Sequence, residues 1–205
     1  MVSYMKIKIC GLRRPEDVEY VNQAMPDYGG FILAQGFRRS VSLEQAWRLR
    51  RMLEPEIQAV GVFVNEKPER VIECLEKGLI DIAQLHGDES EEELLYIKAV
   101  TAKPVIKTVR ALNRCMVEAW LDSAADYLLF DSGAGTGRVF DWQLLADVER
   151  DYFLAGGLNP DNLEEAAQRL HPYGADISSG VETDGVKDCE KIAAAVRVVR
   201  GFGFE

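Results

Sequence analysis

Short apolar runs alternate with longer stretches of helical period along the whole chain. Runs dense in β-branched residues, such as AVGVFV and PVIKTV, read as strands. Eight segments fit that reading: 6–10, 30–33, 58–64, 82–86, 105–109, 127–131, 152–155 and 175–178. Between them lie amphipathic patterns. RPEDVEYVNQA (14–24) sets Val18 and Val21 on one face, with acidic residues in its first turn. SLEQAWRLRRML (42–53) opens on an N-cap serine, Ser42, and KPERVIECLEKG (67–78) has Pro68 near its start and Gly78 after its end. Segments 90–100, 113–122, 159–170 and 188–200 behave alike, and FDWQLLADV (140–148) is a weaker helix.

Eight strand-then-helix units at roughly 25 residues each imply parallel pairing. An open doubly wound sheet is the rival. The regular repeat favours an α/β chain folded as one closed (β/α)8 (TIM) barrel domain over 1–205. No linker or composition break divides the 205 residues. In that architecture function sits at the carboxyl ends of the strands, which picks out Cys10, Asn65, His86, Asp131, the GGL of 156–158 and the SSG of 178–180.

Composition narrows the class. Hydrophobic residues at 47% exclude a disordered chain. A net charge of -10 leaves no general basic surface for nucleic acid. No run of about 18 apolar residues spans a membrane, and MVSYMKIKIC does not read as a signal peptide. A reducing, cytoplasmic location is therefore expected. Cys10, Cys74, Cys115 and Cys189 are scattered and show no metal-ligand spacing, so structural zinc is not expected.

Each strand-end residue carries two readings. Cys10 is a small buried hydrophobe or a base that needs help to ionise. Asp131 closes an apolar strand, either as a cap for the following loop or as a working carboxyl. Glycines 156, 157 and 180 with Ser179 let backbone N–H groups approach an anion. Arg39, in GFRRS, is a solvated loop residue or a two-pronged grip on a carboxylate. His86 is structural, or an acid, base or orienting group. The glycine loop 133–137 is a lid or a plain connector.

Period-two alternation adds expectations. If Cys10 faces the barrel axis, so do Lys8 and Lys6, while Ile7 and Ile9 face the helices. Leu129 turns inward with Asp131, and Gln84 with His86. The first and eighth strands are neighbours in a closed barrel. Lys8 is thus expected to pair with Asp176 and to favour the Cys10 thiolate. The direction of Lys107 stays open, including an approach to Asp131.

The segments KICGL (8–12), GFRRSVS (36–42), VGVFVN (60–65), QLHGDE (84–89), LLFD (128–131), GTGRVFDW (135–142), LAGGLNPDN (154–162) and DISSGVETDGVKD (176–188) together resemble phosphoribosylanthranilate isomerases, barrel enzymes of tryptophan biosynthesis. The resemblance implies an Amadori rearrangement of N-(5-phosphoribosyl)anthranilate without metal or organic cofactor. It implies Cys10 as general base, Asp131 as general acid and Arg39 on the anthranilate carboxylate. Gly156, Gly157, Ser179 and Gly180 would hold the phosphate. The ligand would be a phosphorylated small molecule, and the assembly a monomer or homodimer. A related sugar-phosphate isomerase and a non-catalytic phosphate-ligand barrel are the alternatives. The histidine-pathway relative fits less well, because it carries aspartate where Cys10 stands.

Overall fold

The computed structural model describes residues 3–131, 141–201 and 203–204. Eight parallel strands close into a barrel in chain order. They are β1 (Lys6–Cys10), β2 (Tyr28–Ile32), β3 (Gln58–Phe63), β4 (Ile82–Leu85), β5 (Val105–Arg110), β6 (Tyr127–Asp131), β7 (Tyr152–Leu154) and β8 (Gly174–Ile177). Closure sets Lys8 of β1 opposite Asp176 of β8. No helix among the described residues is long and apolar enough to cross a membrane.

The helices are α1 (Pro15–Ala24), α2 (Leu43–Arg50), α3 (Pro68–Glu76), α4 (Glu91–Thr101), α5 (Arg114–Glu118), α6 (Leu163–Leu170) and α7 (Cys189–Gly201). Their starts follow local chemistry. Ser42 Oγ accepts the N–H of Gln45, capping α2. At α4, Ser90 and Glu93 exchange bonds in a capping box, which satisfies two N–H groups the helix cannot.

Three helical readings are corrected. The segment 113–122 is helical only to Glu118. The guanidinium of Arg150 donates to the carbonyls of Leu121, Ser123 and Ala125, so these groups need no helical continuation. The pattern at 159–170 begins its helix only at Leu163. There the Asn159 side chain accepts from the N–H groups of Asp161 and Asn162, which holds the chain in a turn. The weak helix at 140–148 is a 3-10 turn, Trp142–Leu145, with Asp141 accepting from Gln143 N–H. The second strand starts two residues early, because Gly29 and Gly30 carry no β preference to mark it.

Two antiparallel pairs escaped the pattern because two-residue strands have no period. One joins Ser3–Tyr4 to Gly203–Phe204. The other joins Glu182–Thr183 to Val186–Lys187. A hairpin signal for the second was present: Asp184 and Gly185 have φ of 50° and 78°, as an Asp-Gly turn with two left-handed residues requires.

Two apolar layers follow from alternation along each strand. Outside the barrel, Ile7, Ile9, Leu128 and Phe130 pack with helix residues such as Val18, Leu49 and Val196. Inside lie Tyr28, Val60, Ile82, Ile106, Leu129 and Phe153. The rings of Tyr28, Tyr127, Phe153 and Tyr173 meet edge-on or stacked and close the amino end of the barrel. Burying each large side chain contributes about 1.5–3 kcal/mol. Lys107 points outward. Its Nζ meets Glu89 at 2.8 Å and the Gly87 carbonyl at 2.9 Å, over the Trp120 ring. It does not approach Asp131.

Gly61 of β3 offers a test of packing alone. A Cβ there would meet Ile80 at 2.7 Å and 2.9 Å and Phe63 at 3.1 Å. Gly61→Ala is expected to cost about 1–3 kcal/mol through overpacking, read as a lower urea midpoint. The contact lies on the helix-facing side of β3, opposite the cavity-lining Val62, so ligand affinity should hold.

Candidate active site

A cavity of about 450 Å³ opens at the carboxyl ends of the strands. Cys10, Arg39, His86, Asp131, Gly156, Gly157 and Ser179 all line it. Seven residues from the ends of six different strands thus line one cavity. Gly180 is not on its wall. A Cβ there would collide with the Leu158 carbonyl, so glycine lets the β8 loop tuck against the β7 loop. Gly156 and Gly157 have φ of 86° and 72°, in the left-handed region where other residues are strained.

Cys10 ends β1 and is 6% exposed. Lys8, two residues below on the same inward face, is fully buried and bonds Asp176 Oδ1 at 2.9 Å. Burial would lower the Lys8 pKa, but Asp176 and then Cys10 more than offset it, so the ammonium stays charged. The expected pair is present. Its pull on the sulfur has the expected direction but is outweighed. Burial pushes the Cys10 thiol up, Lys8 pulls it down, and Asp176 pushes it up again. The balance lies above the ordinary thiol value, so the resting group is a thiol.

Asp131 ends β6, with His86 Nε2 3.7 Å from its Oδ2. Burial lowers the His86 pKa more than Asp131 raises it, leaving the imidazole neutral at pH 7. The far ring nitrogen, Nδ1, lies 2.9 Å from Gln84 Nε2 and 3.2 Å from Thr108 Oγ1.

Arg39 reaches the cavity from the loop after β2. Its Nε and Nη2 donate to the two oxygens of Glu182 at 2.6 Å and 2.9 Å. Arg38 and Lys187 also donate to Glu182. Burial would raise the Glu182 pKa, but the Arg39 bonds and the Lys187 cation bring it down to about 2. The guanidinium is therefore held in place before any ligand arrives.

Residues the sequence reading missed are Phe37 and Arg110 on the cavity wall, and the Glu182–Lys187 clamp. Arg110 was legible in principle, since it shares strand phase with Ile106. The loop 133–137, with Ala134, lies outside the described residues. Among the described residues, no three of His, Cys, Asp and Glu converge as a metal site would need.

The family model described as N-(5'-phosphoribosyl)anthranilate (PRA) isomerase matches residues 7–198. The chain belongs to the N-(5'-phosphoribosyl)anthranilate isomerase family. It is 46% identical to the enzyme of that name from Endomicrobium trichonymphae, over 96% of this chain and 99% of the relative. The phosphoribosyl anthranilate isomerase crystal structure from Thermus thermophilus matches with a TM-score of 0.86 and 36% identity, covering 96% and 99% of the two chains. Another phosphoribosyl anthranilate isomerase, solved with reduced 1-(o-carboxyphenylamino)-1-deoxyribulose 5-phosphate, matches with a TM-score of 0.85 and 33% identity, covering 97% and 100%.

The Glu182 clamp gives a prediction with a definite pH sign. Its carboxyl titrates lower in the folded chain than unfolded, so its stabilisation is full above about pH 4.5. The stabilisation falls away as pH drops toward about 2. Glu182→Gln should therefore be less stable than wild type at pH 7, with the gap narrowing on acidification. In the same variant KM should rise more than kcat falls, because a loosened Arg39 weakens binding before chemistry. Steady-state kinetics and pH-dependent melts check both.

Proposed function

We infer that the chain catalyses the Amadori rearrangement of N-(5-phosphoribosyl)anthranilate to 1-(2-carboxyphenylamino)-1-deoxyribulose 5-phosphate, in tryptophan biosynthesis, with Cys10 as general base and Asp131 as general acid. The observation carrying this reading is that both groups line one cavity beside the glycine turns of the β7 and β8 loops. The ligand carries a phosphate at one end and a benzoate at the other. Backbone N–H groups around Gly156, Gly157 and Ser179 suit the phosphate. Arg39 suits the benzoate carboxylate through the Nη1 side of its guanidinium, since Glu182 holds the Nε–Nη2 edge and so keeps the group oriented. Apolar Ile32, Phe37, Val62 and Val64 on the same wall suit the aromatic ring.

Anchoring both ends places the pentose between the thiol and the carboxyl. Asp131, when protonated, gives its proton to the ring oxygen. The C1–O bond breaks as the anthranilate nitrogen lone pair forms the C1–N double bond. The resulting iminium acidifies the C2 hydrogen. Cys10, as thiolate, removes that proton, and the released electron pair forms C1=C2 while neutralising the iminium. The enolamine then loses its O2 proton and gains one at C1, giving the ketone. Proton exchange with solvent returns Cys10 and Asp131 to their starting forms. A thiol held above its ordinary value by burial is a strong base once ionised.

Four free thiols support a reducing, cytoplasmic setting. The second reading, a barrel that binds a phosphorylated ligand without turnover, is kept as an outcome of the test.

The test generates phosphoribosylanthranilate freshly and follows the change in anthranilate fluorescence. Wild type should turn over. Cys10→Ala and Asp131→Asn should each lose about 10²–10⁴-fold in kcat, yet bind the reduced product analogue with near wild-type affinity. Binding without turnover in wild type would favour the second reading. Near-full activity in Cys10→Ala would remove the thiol from the mechanism.

A further inference from the structure

His86 is joined to a small polar chain that the rearrangement itself does not use. Gln84 of β4 is 1% exposed and Thr108 of β5 is 6% exposed, so both are shut away from solvent inside the barrel. Gln84 Nε2 lies 2.9 Å from His86 Nδ1 and donates to Thr108 Oγ1 at 3.2 Å. Thr108 Oγ1 is itself 3.2 Å from the same ring nitrogen. Gln84 Oε1 is buried and has no partner among the described residues.

The amide has two orientations, and the hydrogen-bond count separates them. With Nε2 toward the ring, both amide hydrogens are used and one acceptor is left over. With Oε1 toward the ring, the carbonyl takes two bonds but two buried donors are left over, at a larger desolvation cost. In the first orientation Gln84 donates one amide hydrogen to the single Nδ1 lone pair and the other to Thr108 Oγ1, which holds the amide in that orientation. A neutral imidazole that accepts at Nδ1 carries its hydrogen on Nε2.

We propose that Gln84 and Thr108 are positioning residues that fix the Nε2–H tautomer of His86, so that an N–H donor and not a lone pair faces Asp131. The proposal rests on Asp131 being the acid of the proposed reaction. As the Asp131 proton leaves for the ring oxygen, negative charge appears on its carboxylate. An Nε2–H donor stabilises that charge. The other tautomer would present a basic nitrogen and hold the acid's proton away from the substrate. The present 3.7 Å separation is longer than a hydrogen bond, and such contacts tighten when ligand fills a site. The charged groups acting on His86 are Asp131, Asp176, Lys8 and Glu89, and Arg110 lines the same cavity.

The chain has 2 histidines, so His171→Gln leaves a single 15N-histidine signal set. In that background the spectrum at neutral pH should show His86 protonated at Nε2 and bare at Nδ1. Gln84→Leu combined with Thr108→Val should give mixed tautomers and lower kcat roughly 10- to 100-fold, as loss of outer-shell partners does, with KM within about twofold. Gln84→Glu offers an acceptor of the same shape. It should move hydrogen onto Nδ1 and lose kcat to a similar extent. An Nδ1–H signal in the His86 single-histidine protein overturns the proposal, and that spectrum needs no change in the Gln84 site. Unchanged tautomer and kcat in Gln84→Glu overturn it as well. The expected spectrum in a wild type without isomerase turnover would instead count against the proposed reaction.

Discussion

The Lys8–Asp176 pair sits where the first strand meets the last, with both charges inside the barrel and directly beneath the sulfur of Cys10. A lone charge there would be intolerable, and removing one partner of such a pair typically costs about 3–5 kcal/mol. The pair adds little net stability compared with apolar residues of the same size. What it does is specify. Lys8 meets Asp176 only when β1 and β8 close in this register, and that register turns Cys10 toward the cavity while Ile7 and Ile9 enter the outer core. Barrel closure and the placing of the thiol are one event.

Around that centre, charged side chains of the site are held by neighbours rather than by substrate. Glu182 fixes Arg39, and Lys187 spans Glu182 and the Ser178 carbonyl, so the β2 loop and the β8 hairpin brace each other. Glu89 does the same work on the outer face, taking Lys107 and the N–H groups of Asn65 and Gly87. Fixed dipoles and charges of this kind need no rearrangement during reaction. The cost is that each buried ion depends on its partner being intact.

Much of this was legible in the sequence. Strand-end positions exposed Cys10, His86 and Asp131, since alternation and unit length are strong signals in a repeating β/α chain. The Lys8–Asp176 pair followed from parity plus closure. What failed to show had physical causes. Helices at 113–122 and 159–170 were shortened by side chains, Arg150 and Asn159, that capture backbone groups from outside the helical period. The pull of Lys8 on Cys10 has the direction that parity implied, but pattern shows neighbours and not the depth of burial that outweighs them. At Gly180 the absence of a Cβ also answers to the close approach of the Leu158 carbonyl, a requirement no period encodes.

The central claim is that the buried ammonium of Lys8 draws the Cys10 thiol down against the rise imposed by burial. The direct measurement is the pH dependence of Cys10 alkylation, mapped to that residue by mass spectrometry, in wild type and in Lys8→Met shown to be folded. The account predicts a higher apparent pKa for Cys10 in the variant. An apparent pKa that stays the same or falls would contradict it.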